Sequence, residues 1–165
     1  GLFAVTAGLG MEKKEAEFLA GHDDYSLIMF KALADRLAEA FAETLHARVR
    51  RDLWGYAADE TLDNDALIRE EYRGIRPAPG YPACPEHTVK REMFRVLDCN
   101  EIGMKLTDSY AMWPASSVSG FYLSHPQSQY FNVGTIGADQ FEDYVRRSGL
   151  PQADVRRALM ANLEG

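Results

Sequence analysis

One long helical stripe constrains this sequence more than any other feature. From Tyr25 onward, Phe30, Leu33, Leu37, Phe41, Leu45, Val49 and Leu53 recur at steps of three or four residues. That spacing places apolar side chains on one face of an α-helix. The run predicts an amphipathic helix of roughly eight turns, capped at Asp24 and stopped by Gly55. The opposite face carries Lys31, Asp35, Glu39, Glu43, Arg50 and Arg51. Asp35, Glu39 and Glu43 stand one turn apart, a row of like charges that is mildly destabilising alone and invites a cation. The basic run HARVRRD, residues 46–52, is expected to be solvated.

The remaining elements are short. GLFAVTAG at residues 1–8 has no polar alternation and reads as a strand buried on both faces. A first strand with no lead-in points to a piece of a longer chain. Helices are expected over 9–22, over 64–72, and over 85–98 with Pro85 in the first turn and Glu86 near the positive end. Residues 104–133 mix serine, aromatic and β-branched side chains, which predicts several short antiparallel strands, SVSGFYLS and QYFNVGTI among them. The tail reads as two helices broken at Gly149-Leu150-Pro151. Strands and helices are segregated along the chain, so the expected class is α+β with a largely antiparallel sheet, in a single domain over 1–165.

Charge excludes some functions. With 18 basic and 25 acidic residues the net charge is -7, the wrong sign for a duplex nucleic-acid face or an anionic membrane surface. No apolar run approaches the ~18 residues a membrane-spanning helix needs. Neither GxGxxG nor GxxxxGK[ST] occurs, so no Rossmann or P-loop nucleotide site is supported. Two cysteines, Cys84 and Cys99, make no disulfide framework, and a reducing cytoplasm is the expected compartment.

The segment GIRPAPGYPACPEHTVK, residues 74–90, holds four of the seven prolines. Each fixes its own φ and biases the residue before it to extended geometry. Backbone donors remain at Ala78, Gly80, Tyr81, Ala83 and Cys84. Arg76 brings a planar fork suited to a carboxylate and Tyr81 a flat face with a hydroxyl. On residue types alone, a rigid connector and a pre-stiffened binding edge are equally good readings. Cys84 and His87 show C-x-x-H spacing with no matching second pair, so no metal site is expected. A thiol hydrolase built on Cys84 and His87 is a further reading.

RPAPGYPACPEHT (76–88) and MKLTDSYAMWPASSVSGFYLSHP (104–126) resemble the C-terminal activation domain of cobalamin-dependent methionine synthase. FAVTAG, DDYSLIMFKALADRLAEAFAETLHARVR, LWGYA and SQYFNVG resemble it too, so the likeness spans essentially the whole chain. It implies an α+β fold with a twisted antiparallel sheet and flanking helices. It also implies a module that presents S-adenosylmethionine for reductive methylation of cob(II)alamin, with the cobalamin held by a neighbouring domain of the same methyltransferase. The implied ligand contacts are Arg76, Ala78 through its backbone, Tyr81, the aromatic pair Tyr130 and Phe131, and the acids Glu39 and Glu70. Asp35 would face the cobalamin module and receive the histidine displaced from cobalt.

The implied partners are the cobalamin domain and flavodoxin or a related flavoprotein reductase, in the cytoplasm. No catalytic side chain and no protein-bound metal are implied. The family domain is about twice as long, and its N-terminal half, with an acid that contacts the ligand's amino group, has no counterpart here. An alternative is therefore an interaction module that docks the cobalamin domain and flavodoxin and binds little ligand itself. Arg48, Arg50 and Arg51 are the candidate patch for a flavodoxin contact. An exposed sheet edge, with a tendency to associate, is also expected.

Overall fold

The computed structural model describes residues 1–164. In chain order these form β1 (Leu2–Thr6), α1 (Met11–Ala20) and α2 (Asp24–Arg48), which ends in one π-helical turn (Val49–Leu53). Then come α3 (Asn64–Ile68), α4 (Val89–Val96), β2 (Lys105–Leu106), β3 (Met112–Trp113), β4 (Ser117–Phe121), α5 (Ala138–Ser148) and α6 (Gln152–Leu159).

Pairing is antiparallel throughout the two short sheets. β1 pairs with β4, Leu2 opposite Phe121 and Thr6 opposite Ser117, and β2 pairs with β3. Phe3 and Val5 of β1 enter a cluster with Ala42, Val49 and Tyr122, while the alternate residue Ala4 packs on Phe94, Cys99 and Met104. The first strand is therefore covered on both faces, as its unbroken apolar sequence predicts. Burying side chains such as Phe3 and Val5 contributes about 1.5–3 kcal/mol each. A third cluster, Phe141, Val155 and Leu159, joins α5 to α6. Gly149 closes α5 in a left-handed conformation (φ 67), as a helix C-terminus favours.

The start of the proline loop extends the larger sheet. Ile75 and Leu123 exchange both backbone hydrogen bonds, at 2.9 and 3.0 Å, and the Phe121 N–H donates to the Pro77 carbonyl at 2.9 Å. Gly120 makes this approach possible, because a Cβ there would lie 2.6 Å from the Pro77 oxygen and 2.8 Å from the Phe3 ring.

Four expectations are corrected. First, most of the large apolar stripe of α2 is not its buried face, and only Val49, with Leu45 packed beside it, enters the core. Leu33, Leu37 and Phe41 are half or more exposed, while Ala34, Ala38, Ala42, His46 and Arg50 form the row that meets the sheet. Periodicity identifies side chains that share a face; here the sheet lies too close for leucines, and the alanine row wins. Second, HARVRRD is not a solvated run, because His46 and Arg50 have no exposed surface at all. Arg50 donates twice to Glu60, each at 2.7 Å, with its guanidinium 4.0 Å from the centre of the Tyr72 ring. It is unavailable to any docking partner.

Third, QYFNVGTI is not a strand. Val133 donates to the Pro82 carbonyl at 2.9 Å, and Gly134 turns left-handed (φ 66), so the segment wraps the loop instead of joining a ladder. Fourth, helix bounds differ. α2 is capped by Asp23, whose carboxylate accepts from the Ser26 N–H at 3.0 Å. α3 stops early, because Glu70 adopts φ 55. α4 starts at Val89, leaving Glu86 before the helix, where it accepts a hydrogen bond from the Tyr144 hydroxyl.

Candidate functional site

The proline loop closes on itself after Pro79. Gly80, at φ 97, donates to the Cys84 carbonyl at 2.7 Å, and Cys84 donates to the Tyr81 carbonyl at 2.8 Å. A Cβ on Gly80 would lie 2.2 Å from the His87 ring, so both the left-handed backbone and the imidazole demand glycine. Two of the five available donors are thus used internally. Among the described residues, the N–H groups of Ala78, Tyr81 and Ala83 have no acceptor. They are the backbone donors the loop leaves unused.

Arg76 stands at the head of this loop and is held from three sides. Its Nη2 lies 2.7 Å from Glu43 Oε2, its Nη1 donates to the Tyr72 hydroxyl at 2.6 Å, and the same Nη1 lies 3.4 Å from His46 Nδ1. Its backbone N–H donates to the Tyr130 hydroxyl at 3.1 Å. Burial alone would pull the guanidinium pKa down; Tyr72 and the Glu43 carboxylate outweigh it, and the net direction is up. Burial, with Arg50 and Arg76 alongside, pushes the His46 pKa down to about 3. The ring is therefore neutral at ordinary pH. It accepts at Nδ1 from Arg76 and donates from Nε2 to the Tyr56 hydroxyl, 3.3 Å away. Burial also raises the Tyr72 hydroxyl to about 12, so it stays a neutral partner. Part of the arginine fork, expected to suit a ligand carboxylate, is thus occupied by a carboxylate of the chain itself.

Around Arg76 lies a cavity of about 390 Å³. Arg76, Ala78, Tyr81, Tyr130, Phe131, Glu39 and Glu70, the seven residues expected to contact a ligand, all line it. α2 supplies Glu39. The left-handed Glu70, just past α3, supplies a second carboxylate, the kind of sparsely populated backbone that clusters at functional sites. Among the described residues, neither Glu39 nor Glu70 has a basic partner within ion-pair distance, whereas Glu43 has Arg76. The cavity therefore joins one pinned guanidinium, two uncompensated carboxylates and four aromatic rings, those of Phe3, Tyr81, Tyr130 and Phe131, a set suited to a small zwitterion with an additional positive charge and a flat ring system.

Sequence reasoning missed part of the wall and all of the support. Phe3 and Val118 of the central strand pair also line the cavity. Glu43, Tyr72 and His46 hold Arg76 from behind. Glu43 was within reach, being one turn beyond Glu39; the buried histidine had no signal, because its neighbours in HARVRRD look solvated. Asp35 is outside the cavity, with Oδ1 accepting from the Ser116 hydroxyl at 2.6 Å.

Cys84 and His87 show no nucleophilic arrangement. Burial and the nearby Glu86 push the thiol pKa up, the opposite of what an activated cysteine needs, and Lys90 donates to His87 Nδ1 at 3.0 Å. Among the described residues no group of His, Cys, Asp and Glu is placed to hold a metal ion, and no helix is long and apolar enough to cross a membrane.

The profile of the family described as vitamin B12 dependent methionine synthase, activation domain, matches residues 1–149. Among solved structures, the crystal structure of the MetH reactivation domain bound to AdoHcy is similar, with a TM-score of 0.96 and 58% sequence identity. That likeness covers 99% of this chain and 51% of the solved one, so the chain spans about half the length of this relative.

Proposed function

Because the chain belongs to the activation-domain family of vitamin B12 dependent methionine synthase, we propose that it is the S-adenosylmethionine-binding part of that enzyme's reactivation module. The observation that carries this reading is the convergence of Arg76, Ala78, Tyr81, Tyr130, Phe131, Glu39 and Glu70 on one cavity. The AdoHcy held by the solved relative supports the ligand class.

The residues fit the group. Arg76 and the free N–H of Ala78 suit the ligand's carboxylate end; Glu39 and Glu70 suit its ammonium and sulfonium charges; Tyr81, Tyr130 and Phe131 suit its adenosine. When bound, S-adenosylmethionine supplies the electrophilic methyl group for the reduced cobalt of cobalamin held by a neighbouring module. The chain itself binds and orients. Glu43, Tyr72 and His46 fix Arg76 before the ligand arrives, which lowers the cost of ordering it on binding. The prolines do the same for the backbone donors. No side chain is needed as nucleophile or general base, since the chemistry resides in ligand and cofactor.

Asp35, with one oxygen held by Ser116, faces the cobalamin module in this reading and receives the histidine released from cobalt. The partners are that module and flavodoxin or a related flavoprotein reductase. A cytoplasmic setting agrees with two free thiols, Cys84 and Cys99.

Calorimetric titration of S-adenosylmethionine into the chain and into Arg76→Ala tests the proposal. Arg76→Ala should weaken binding about tenfold or more, as expected for loss of a charge-assisted contact. Equal affinities would refute the role of Arg76, and absence of binding to the unmodified chain would refute ligand binding by this chain.

A further inference from the structure

β1 has one partner strand and one open edge. Gly1 and Tyr122 exchange both hydrogen bonds, at 2.8 Å each, and the Ala7 N–H donates to the Ser116 carbonyl at 2.9 Å. Bonded pairs alternate along an antiparallel ladder. Phe3 and Val5 therefore also turn their backbone groups to β4, and Leu2, Ala4 and Thr6 turn theirs away. The Phe121 N–H, opposite Leu2, agrees with this alternation by donating outward to Pro77. Among the described residues, the outward N–H and C=O groups of Leu2, Ala4 and Thr6 have no partner. The proline loop closes the other edge of this sheet. The β1 edge, LFAVT, has no charge, no proline and no bulge to blunt it.

α2 overhangs the open edge with an apolar flank. The helix packs on both β1 and β4. Asp35 binds Ser116, Glu39 lines the cavity with Val118, and Glu43 pairs with Arg76, so the acid row faces β4 and the loop. Met29, Leu33, Leu37 and Phe41 stand on the other side of the alanine row, toward the open side of β1. They are between 44% and 64% exposed.

A second copy fits this surface by symmetry. A two-fold axis through Ala4, normal to the sheet, sets Ala4 against its own counterpart and Leu2 against Thr6. Every outward group of the three residues is then used. Because α2 lies over β1 and β4, the two copies of α2 stand two strand spacings apart, about 9–10 Å. Helices pack side by side at about 8–10 Å. Ala42 packs on Phe3 and Val5, the neighbours of Ala4, so Leu37 and Phe41 lie near the axis and meet across it.

We propose that the β1 edge and the apolar flank of α2 form a two-fold interface with a second copy of this chain, a four-stranded sheet under an antiparallel helix pair. A stable interface buries roughly 800 Å² per partner. Met29, Leu33, Leu37 and Phe41 offer about half of that. The strand edge and the half-exposed Trp54 beside Gly1 add to it. The cavity around Arg76 lies on the opposite flank of α2 and stays open in the dimer.

Sedimentation velocity of the chain across the micromolar range should show a species of twice its 18.5 kDa mass. Hydrogen exchange locates the contact. The amides of Leu2, Ala4 and Thr6 should exchange on the order of tenfold more slowly where dimer dominates than where monomer dominates. Leu37→Lys, at an exposed position, should weaken dimerisation about tenfold or more, while Ile68→Lys, an exposed substitution on α3, should leave it unchanged. A monomer throughout the range overturns the proposal and leaves the edge to a strand from another source, such as the half of the solved relative that this chain does not match. A dimer whose Ala4 and Thr6 amides stay unprotected also overturns it, as does one indifferent to Leu37→Lys.

Discussion

Glu43 on α2 and Arg76 on the proline loop form an ion pair, Oε2 to Nη2 at 2.7 Å, and both side chains are largely withdrawn from water. The pair ties the helix to the loop behind the cavity. Removing one partner leaves the other partly buried and uncompensated. Glu43→Gln should lower stability by about 1–3 kcal/mol, read from urea midpoints. Arg76→Gln should cost less in the Glu43→Gln background than in the native chain, with a coupling of about 1 kcal/mol. Strictly additive losses would mean that the pair does not couple the two elements.

His46 makes folding sensitive to acid. In the unfolded chain its imidazole takes up a proton near the ordinary value of 6.5; in the fold it does so only at about 3. Between those values the unfolded state binds more protons, so stability falls as pH drops. The loss from this group should reach about 1–2 kcal/mol by pH 5. Melting curves of the native chain and of His46→Gln between pH 7 and pH 5 (about two units, well inside the titrating range) should converge as pH falls. Parallel curves would remove His46 as the source.

Arg50 and Arg51 are neighbours in sequence and opposites in structure. Arg50 is enclosed against Glu60 and Tyr72, while Arg51 is exposed. Arg50→Ala should destabilise by about 3–5 kcal/mol, and Arg51→Ala should stay within about 0.5 kcal/mol. A test of a basic docking patch on this helix must therefore use Arg48 and Arg51 alone. Comparable losses from both alanine variants would contradict the burial pattern.

Glu39 and Glu70 should read the charge on sulfur. S-adenosylmethionine carries a sulfonium that AdoHcy lacks, so the chain should prefer it, and Glu39→Gln or Glu70→Gln should shrink that preference by about threefold to tenfold. Competition calorimetry with both ligands measures the gap. An unchanged ratio in both variants would exclude the carboxylates as partners of the sulfonium.

The sequence carried the class of fold and the stiff rim of the cavity well. The doubly buried first strand, the stop at Gly149 and the stiffness of the proline loop follow from local rules that tertiary structure does not override. The cavity residues came instead from resemblance, because Glu39, Glu70 and Tyr130 are far apart in sequence and nothing local ties them together. The orientation of α2 was misread for a physical reason. Leucine and alanine rows share the helical period, and only the distance to the sheet decides which row turns inward. His46 and Arg50 were hidden by the same ambiguity, since a neutral histidine held by Arg76 and Tyr56 and an arginine paired with Glu60 look like solvent-facing sequence until their partners are known.

The alanine row of α2 has a consequence for how this site can vary. Ala38 and Ala42 are essentially inaccessible, and Ala42 packs with Phe3 and Val5 on the strand that also forms the cavity wall. Glu39 and Glu43 each follow one of these alanines by a single residue. The small side chains thus act as a spacer of fixed thickness between helix and sheet, and that thickness calibrates the width of the pocket mouth. A bulkier residue in the row would lift the helix and carry both acids outward together. Pocket width can therefore be retuned from the core, with no substitution among the residues that line the cavity.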